Sequence, residues 1–188
     1  MKKNIGTHVF LPMPVVLVGT MAEGKPNFAT VAWAGRVSMK PPLLTATLNK
    51  RHHTHAGILA SGVFSVNVPP AELMEAADYC GIVSGRQADK GALFTVFQGE
   101  TGAPLIEECR LCLECRLYQT VDLPAHSIFL GEIVASWADE EALVDDVPDP
   151  ARLDPLLLTM SDNGYWRLGE RAGQAWSVGK AFKRSEGR

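Results

Sequence analysis

The first third of the chain is patterned as short apolar runs separated by turn-forming residues. A polar turn at 23–26 contains glycine and proline, and it predicts a hairpin between the first two runs. The third run opens directly into the donor-rich segment Asn49–Thr54. The predicted strands are Pro14–Thr20, Asn27–Trp33 and Leu43–Leu48. We therefore expect three strands that end at one polar corner.

The next part of the chain combines helical and strand patterns. Thr54–Ser61 predicts a short helix, with Thr54 as the N-cap and Gly62 beyond the end. Val63–Val68 then predicts a strand, which a Pro-Pro pair ends. Ala71–Tyr79 predicts a second helix, because a proline is tolerated in the first helical turn.

The remaining sequence holds the longest predicted strands, Arg110–Val121 and Ser127–Trp137. The segment Asp139–Pro155 is acidic and contains several prolines, so we expect it to be a surface connection. The tail Lys180–Arg188 is polar, and we expect it to be frayed.

Few helices separate these strands, which excludes a doubly wound parallel sheet. We expect a mainly β protein with a few short helices, folded as a closed antiparallel barrel without exposed edges. At 188 residues, the chain is long enough for one domain with a sizeable core. We therefore expect residues 1–188 to form a single domain.

Composition narrows the class of protein further. Apolar residues make up 46% and charged residues 21%, as in ordinary soluble globular proteins. The formal net charge of −3 argues against a general nucleic-acid binder. We find neither a signal peptide nor an apolar run long enough to span a membrane. Four cysteines are too few for a disulfide scaffold, so we expect reduced thiols and a cytoplasmic location.

Two motifs suggest chemistry that their context does not support. Gly19–Lys25 matches the spacing of a phosphate-binding P-loop, but Pro26 stands where that motif needs a hydroxyl. Cys109, Cys112 and Cys115 have the spacing of a metal or cluster site. On a strand, however, Cys109 and Cys115 would face one side and Cys112 the other. Buried cysteines are the favoured interpretation, and we assign no metal site.

The polar corner is a better candidate for a binding site. His52, His53 and His55 lack a nearby carboxylate to complete a metal site. Lys50 and Arg51 supply positive charge, and a helix starting near residue 54 supplies free N–H groups. A phosphate site is favoured over a solvated basic turn.

The second predicted strand could accept the flat part of a phosphate-bearing cofactor. Ala29, Thr30 and Ala32 are small, so a planar ring can approach the backbone there. Trp33 could cover such a ring or pack in the barrel core. A flavin is therefore the leading hypothesis.

The chain resembles the flavin reductase-like family of FMN-binding split barrels, and within it the flavoredoxin branch. The similarity runs from about Pro12 to Trp166, nearly the whole chain. The order and spacing of the matching pieces carry it. These pieces are Pro14–Thr20, Gly24–Trp33, Pro41–Leu43, Leu48–Thr54, Ser61–Pro69, Cys80–Arg86, Asp89–Lys90 and His126–Ile133.

The resemblance implies roles for particular residues. His126 occupies a position where many flavin reductases have a histidine on the nicotinamide side, although Pro124 and Ala125 replace the usual Gly-Asp before it. Tyr165 or Trp166 would cover the cofactor. The residues implied to line the flavin ring are Thr30, Val31, Ala32 and Trp33, and those implied to hold the ribityl chain and phosphate are Asn49, Lys50, His52, Thr54 and Lys90.

These implications describe an FMN-binding redox protein. Hydride from NAD(P)H, or electrons from a redox partner protein, would reduce the flavin, which would pass electrons onward. The family usually builds its site at a homodimer interface, so we expect a homodimer. The alternative class is a non-redox split-barrel module, or a relative that binds haem.

Overall fold

The computed structural model describes residues 1–182. The predicted frayed tail at 180–188 therefore lies mostly outside the described residues. Fourteen strands are present in the described part of the chain. They are β1 Met13–Pro14, β2 Val16–Ala22, β3 Lys25–Val31, β4 Ala34–Ser38, β5 Leu43–Asn49, β6 Val63–Val68, β7 Val96–Gln98, β8 Pro104–Ile106, β9 Leu111–Asp122, β10 His126–Ala138, β11 Leu143–Val144, β12 Val147–Pro148, β13 Leu156–Thr159 and β14 Gly164–Arg167.

Three short α-helices accompany the strands. They are α1 His53–Ser61, α2 Met74–Ile82 and α3 Pro150–Leu153. Single 3₁₀ turns lie at Ala71–Leu73, Gly91–Leu93, Glu140–Ala142 and Val178–Ala181. The prediction of a mainly β protein with a few short helices is confirmed. The predicted surface connection at 139–155 contains the β11–β12 hairpin and α3.

Seven strands form the main antiparallel sheet, in the order β3-β2-β6-β9-β10-β5-β4. A smaller sheet has the order β1-β13-β14, and β7 pairs with β8. Within the described residues, no strand pairing joins the two ends of the main sheet, β3 and β4. The chain itself connects them through the bend at Ala32 and Trp33. Closure of the sheet into a barrel therefore stays a prediction.

The central strands of the main sheet are buried on both faces, and strand alternation directs their side chains into one of two cores. On β2, Val16 and Val18 pack into a core with Phe64 and Phe129, whereas Leu17 faces a second core beneath α2. Burial of both faces explains why β2 is a nearly continuous apolar run.

The predicted hairpin at 23–26 is confirmed, with a tighter turn than expected. Only Glu23 and Gly24 lie between β2 and β3, with φ values of 51° and 79°. Two positive φ values are what a type I′ hairpin turn requires. Pro26 therefore lies within β3, and the P-loop spacing at 19–25 belongs to a hairpin that leads into a strand.

Several other local predictions were wrong. Helix α1 begins at His53 with His52 as its N-cap, so Thr54 is not the cap. The second predicted strand ends at Val31 rather than Trp33, and β4 was not predicted. Because β4 is largely exposed, it lacks the apolar pattern that reveals the other strands.

The cysteine prediction was partly wrong. Cys109 precedes β9, and it packs with Cys112 in the core beneath α2 rather than with Cys115. Cys115 faces the other core. All four cysteines are free and buried. Within residues 1–182, no group of three or more His, Cys, Asp or Glu side chains is arranged to hold a metal ion. No helix in that range is long and apolar enough to cross a membrane.

Glu114 on β9 is fully buried and ties a loop to the sheet. Its carboxylate accepts hydrogen bonds from the Glu100 N–H at 3.0 Å and the Trp137 Nε1 at 2.7 Å. The Thr101 N–H and hydroxyl also donate to it, at 2.6 and 2.7 Å. Burial raises the pKa of this carboxyl, but the four hydrogen bonds outweigh burial and hold the pKa below its ordinary value. A Cβ at Gly99 would lie 1.9 Å from the carboxylate, so only glycine fits there.

Candidate functional site

A cavity of about 360 Å³ opens where β3, the end of β5, the start of α1 and the end of α2 meet. This volume lies within the range of about 300–1,000 Å³ that is typical of small-molecule sites. Ala29 and Thr30 on β3 form one wall. The last residues of α2 and the turn that follows them, Cys80 to Gly85, also line the cavity. We call this space the first cavity.

The polar corner that the sequence predicted forms one end of the first cavity. The Asn49 side chain accepts a hydrogen bond from the Arg51 N–H at 3.0 Å, and the His52 N–H donates to the Asn49 carbonyl at 3.0 Å. This turn directs the chain into α1, whose first-turn N–H groups have no acceptors within the helix. The His52 side chain makes no capping bond to them. A partially positive helix end therefore borders the cavity beside Arg51.

Lys90 brings a buried positive charge to the same cavity. The residue is 4% exposed, and its Nζ donates to the Cys80 carbonyl at 2.7 Å. Burial lowers the pKa of Lys90, because a charged ammonium is costly away from water. An ammonium carries three donors, so an anion in the cavity would bind to it directly.

Two further polar side chains are buried at the edge of the cavity without complete partners. The Asn27 side chain donates to the Thr54 hydroxyl at 2.7 Å, and its Oδ1 has no partner among the described residues. The Nδ1 of His53 is likewise buried without a partner there. Gly85 lies against both side chains, and a Cβ on it would be 1.9 Å from Asn27 Oδ1. Buried polar groups are normally satisfied, so two such atoms side by side are unusual.

The structure brings five of the predicted site residues to the lining of the first cavity. They are Thr30, Asn49, His52, Thr54 and Lys90. Burial, followed by the nearby charges of Lys90, His126 and His55, lowers the pKa of His52. Burial, more than the neighbouring charges, therefore favours the neutral form of His52. Whether these five residues contact a cofactor stays a prediction.

The other predicted site residues lie outside that lining. Val31 is buried in the core of the main sheet, and the partly exposed Ala32 forms the bend after β3. The Trp33 ring lies beside the His126 ring, with centroids 5.2 Å apart. Tyr165 donates to Asp78 Oδ1 at 2.8 Å, and burial together with this bond raises its pKa to about 12.

Lys50 belongs to a hydrogen-bonded chain rather than to the cavity. Its Nζ lies 3.2 Å from Asp122 Oδ1, which accepts a bond from the Ser127 hydroxyl at 2.7 Å. The same hydroxyl lies 2.9 Å from His55 Nε2. Because the Ser127 hydrogen is directed to the carboxylate, His55 Nε2 must donate to Ser127. These hydrogen bonds link the start of α1 to the end of β9 and the start of β10, where His126 lies.

Sequence reasoning missed Asn27, Ser84 and Gly85 as site residues. Asn27 lies at a buried position of β3 between apolar neighbours, and this is the signal that could have identified it. Ser84 and Gly85 reach the cavity only because the turn after α2 folds back against β3. No local pattern reports that contact.

Comparison with known proteins agrees with this geometry. A family model described as "flavin reductase like domain" matches residues 8–165. The chain belongs to this flavin reductase-like family.

Solved structures of this family share the fold across nearly the whole chain. Flavoredoxin from Methanosarcina acetivorans superposes with a TM-score of 0.93 and is 46% identical, covering 96% of this chain and 98% of its own. An FMN-binding protein from Thermus thermophilus has a TM-score of 0.80 and is 27% identical, covering 93% of this chain and 96% of its own. An NADH-dependent FAD reductase from Streptomyces globisporus is 30% identical over 144 residues, covering 73% of this chain and 78% of its own.

Proposed function

We propose that the protein is an FMN-binding redox protein with its cofactor in the first cavity. The observation that carries this proposal is the convergence of a buried Lys90 ammonium, Arg51 and the N-terminus of α1 on one ligand-sized space. Three sources of positive potential at one end of a cavity suit a phosphate monoester. The family membership and the FMN-binding protein of Thermus support a flavin as the bearer of that phosphate.

The phosphate end would be held by charge and by hydrogen-bond donors together. Arg51 and Lys90 supply positive charge, and the Ser84 hydroxyl and the first N–H groups of α1 supply donors. The unpartnered Nδ1 of His53 could donate to the same group, which would satisfy it. The donor set therefore fits a dianionic phosphate.

The opposite end of the cavity has room for a planar ring. Ala29 and Thr30 present small side chains, and Gly81 faces Thr30, where a Cβ would lie 3.3 Å from the threonine Cβ. The Thr30 hydroxyl donates to the Ala77 carbonyl, which fixes that side chain against α2. Bound FMN would supply reversible acceptance of a hydride or of single electrons.

Two versions of this function differ in the electron donor. In the reductase version, NAD(P)H would donate hydride at the side where His126 and Trp33 lie together. In the carrier version, FMN would stay bound and a redox partner protein would supply electrons. The similarity to the FAD reductase of Streptomyces supports the first version, and the greater similarity to flavoredoxin supports the second.

We extend the proposal to the assembly and setting of the protein. The chain would act as a single domain closed into a split barrel, in the cytoplasm, where its four buried thiols stay reduced. Trp33 is 40% exposed and Trp166 is 55% exposed. Exposed large apolar side chains of this kind are typical of an interface, so a homodimer is the proposed assembly.

The experiment that tests this function is a visible absorption spectrum recorded without oxygen. The protein would be loaded with FMN, separated from free flavin, and then treated with NADH or NADPH. Prompt bleaching of the flavin bands would support the reductase version. Bands that persist until dithionite is added would support the carrier version. If the protein does not retain FMN after separation and shows no flavin absorption, the proposed function is refuted.

A further inference from the structure

The chain beyond β14 includes a segment whose large apolar side chains are uncovered. We call residues 171–182 the tail. Trp176 is 92% exposed, Val178 is 68% exposed and Phe182 is 82% exposed. Among the described residues, every hydrogen bond of the tail joins two of its own members. Single exposed apolar side chains are ordinary, but three within seven residues indicate a surface that another molecule covers.

The end of the chain is also basic. Residues 171–188 contain five lysines and arginines and one glutamate. Lys180 in the tail is exposed and has no ion-pair partner among residues 1–182. The family model ends at residue 165, so the tail lies outside the part of the chain that this model describes.

The β11–β12 hairpin and the turn before it carry the opposite charge. We call residues 139–148 the acidic hairpin. It contains no lysine or arginine, and its acidic side chains are Asp139, Glu140, Glu141, Asp145 and Asp146. All of them are exposed, and none is paired with a cation among the described residues. Val144 and Val147 on the same hairpin are 42% and 62% exposed. The acidic hairpin thus combines uncovered apolar side chains with uncompensated negative charge.

The tail and the acidic hairpin are neighbours on one face of the molecule. Both contribute to the lining of a cavity of about 770 Å³, through Val144 and Val147 of the hairpin and residues 173–175 of the tail. Trp176, the next residue, is outside that lining and remains almost fully exposed. The tail therefore borders this cavity without filling it with its own large side chains.

We propose that the tail of one copy docks on the acidic hairpin of a second copy, and that the contact is reciprocal. A face with a basic half and an acidic half is complementary to itself when a two-fold axis passes between the halves. Because one face supplies the apolar side chains and both signs of charge, a second copy is the partner that it fits. The inference rests on the homodimer proposed above, whose contact it names, and it does not depend on the flavin.

The residues of the tail have distinct parts in this contact. Trp176 and Phe182 would enter the cavity beside the hairpin valines of the other copy, which would remove these rings from water. Lys180 would face the hairpin carboxylates of the other copy and fix the orientation of the tail.

The first test measures the dissociation constant of the dimer by sedimentation equilibrium. Trp176→Ser combined with Phe182→Ser removes the two largest exposed side chains of the tail, and it should raise the dissociation constant by about 100-fold or more. Trp176→Phe keeps an aromatic ring and should change the constant by less than about threefold. Because both positions are exposed, the circular dichroism of each variant should match that of wild type.

The second test exchanges charges between copies. Lys180→Glu and Asp146→Lys each place like charges at both tail–hairpin contacts of a dimer, so each should raise the dissociation constant about tenfold. When the two variants are mixed in equal amounts, both contacts of the mixed dimer join opposite charges again, and it should form with nearly the wild-type constant. Lys3→Glu makes the same charge change near the other end of the chain and should change the constant by less than about twofold.

The outcomes separate this contact from the other proposals. Recovery only when both charge substitutions are in one chain would place the contact within a copy and overturn the inference. A wild-type dimer that none of these variants weakens would also overturn it, and would leave the homodimer intact. A wild-type monomer would overturn both this inference and the proposed homodimer. FMN retention is a separate measurement, so none of these outcomes decides the cofactor.

Discussion

Glu114 and Lys90 are both buried charged side chains, yet their surroundings differ in kind. The Glu114 carboxylate accepts four hydrogen bonds from a loop and from Trp137, which complete it within the protein. The Lys90 ammonium donates to the Cys80 carbonyl and borders an open cavity. A buried charge whose bonds are complete stabilises the fold, whereas one that faces a cavity is available to a ligand. By this contrast, Glu114 is a structural residue and Lys90 is a candidate for ligand binding.

The largest effect is expected from removing the charge of Glu114, whose hydrogen bonds are complete within the protein. Glu114→Gln removes the charge and leaves one amide group facing donors, so it should lower the free energy of unfolding by about 3 kcal/mol. Flavin affinity, measured where the variant is folded, should change little. Urea unfolding followed by circular dichroism measures the first quantity. Glu170→Gln, at an exposed position, is the control and should leave stability unchanged. An unchanged midpoint for Glu114→Gln would contradict the structural role.

For Lys90, which borders the open cavity, we expect the opposite pattern: a loss of FMN affinity without a loss of stability. Lys90→Met should weaken FMN binding by about 10- to 100-fold, because it removes a charge-assisted bond to the phosphate. The flavin-free variant should be at least as stable as wild type, since the cost of burying the ammonium is removed. Titration with FMN and with riboflavin measures the effect. Riboflavin, which lacks the phosphate, should bind both proteins alike.

Lys50→Met is the matched comparison for that variant, and it also tests the predicted phosphate role of Lys50. Lys50 is paired with Asp122 outside the cavity lining, so we expect its FMN affinity to fall by less than about threefold. A loss equal to that of Lys90→Met would mean that both lysines hold the phosphate. The ion pair between Lys50 and Asp122 would then not distinguish the role of Lys50 from that of Lys90.

The pH dependence of stability sharpens the comparison, because the two groups act in different pH ranges. The folded-state pKa of Glu114 is below its ordinary value of 4.5, so its stabilisation is present above about pH 4.5 and is lost as pH falls through the folded-state value. The folded-state pKa of Lys90 is below 10.5, so stability should rise with pH between the folded-state value and 10.5. Unfolding curves for wild type, Glu114→Gln and Lys90→Met across both ranges measure these contributions. The alkaline rise should be absent from Lys90→Met, and bound FMN should suppress it in wild type.

A small effect is also expected from the hydrogen bonds that link α1 to the ends of β9 and β10. Ser127→Ala removes the hydroxyl between His55 and Asp122 but leaves the cavity lining intact. We expect FMN affinity to fall by about twofold to fivefold, because the start of α1 is held less firmly. Titration with FMN measures this change, and Ser136→Ala on the same strand β10 provides a control. A change as large as that of Lys90→Met would place Ser127 in the binding machinery.

The sequence predicted those parts of the fold in which local pattern and burial agree. Strands such as β2 and β6 are apolar because both faces of the sheet are covered, and Gly62 ends α1 with a positive φ. The exposed strand β4 has no such pattern and was missed. Thr54 resembles an N-cap in sequence, but its hydroxyl accepts a bond from Asn27 on β3. That contact is tertiary, and no local rule reports it.

The same limit applies to the candidate site. The charges and helix start at 49–54 predicted an anion site, and four residues of this segment besides Asn49 line the first cavity, namely Arg51, His52, His53 and Thr54. The part of the lining that follows α2 depends on where that helix packs, which brings Gly85 within contact of Asn27 and His53. Lys50 was predicted on charge alone, and the structure pairs it with Asp122. Charge in a segment predicts an anion site, but packing decides which side chains of that segment reach it.

Burial lowers the reactivity of the four cysteine thiols towards oxidants. Oxidation and alkylation act on the thiolate, and burial raises the pKa of Cys80 to about 11 and that of Cys112 and Cys115 to about 12. Cys80 belongs to the cavity wall and yet is only 1% exposed. Peroxide released by a flavin that meets oxygen would therefore find little sulfur to attack in the folded chain. Alkylation of the cysteines would instead require the chain to open, so the rate of alkylation would report the opening of the fold.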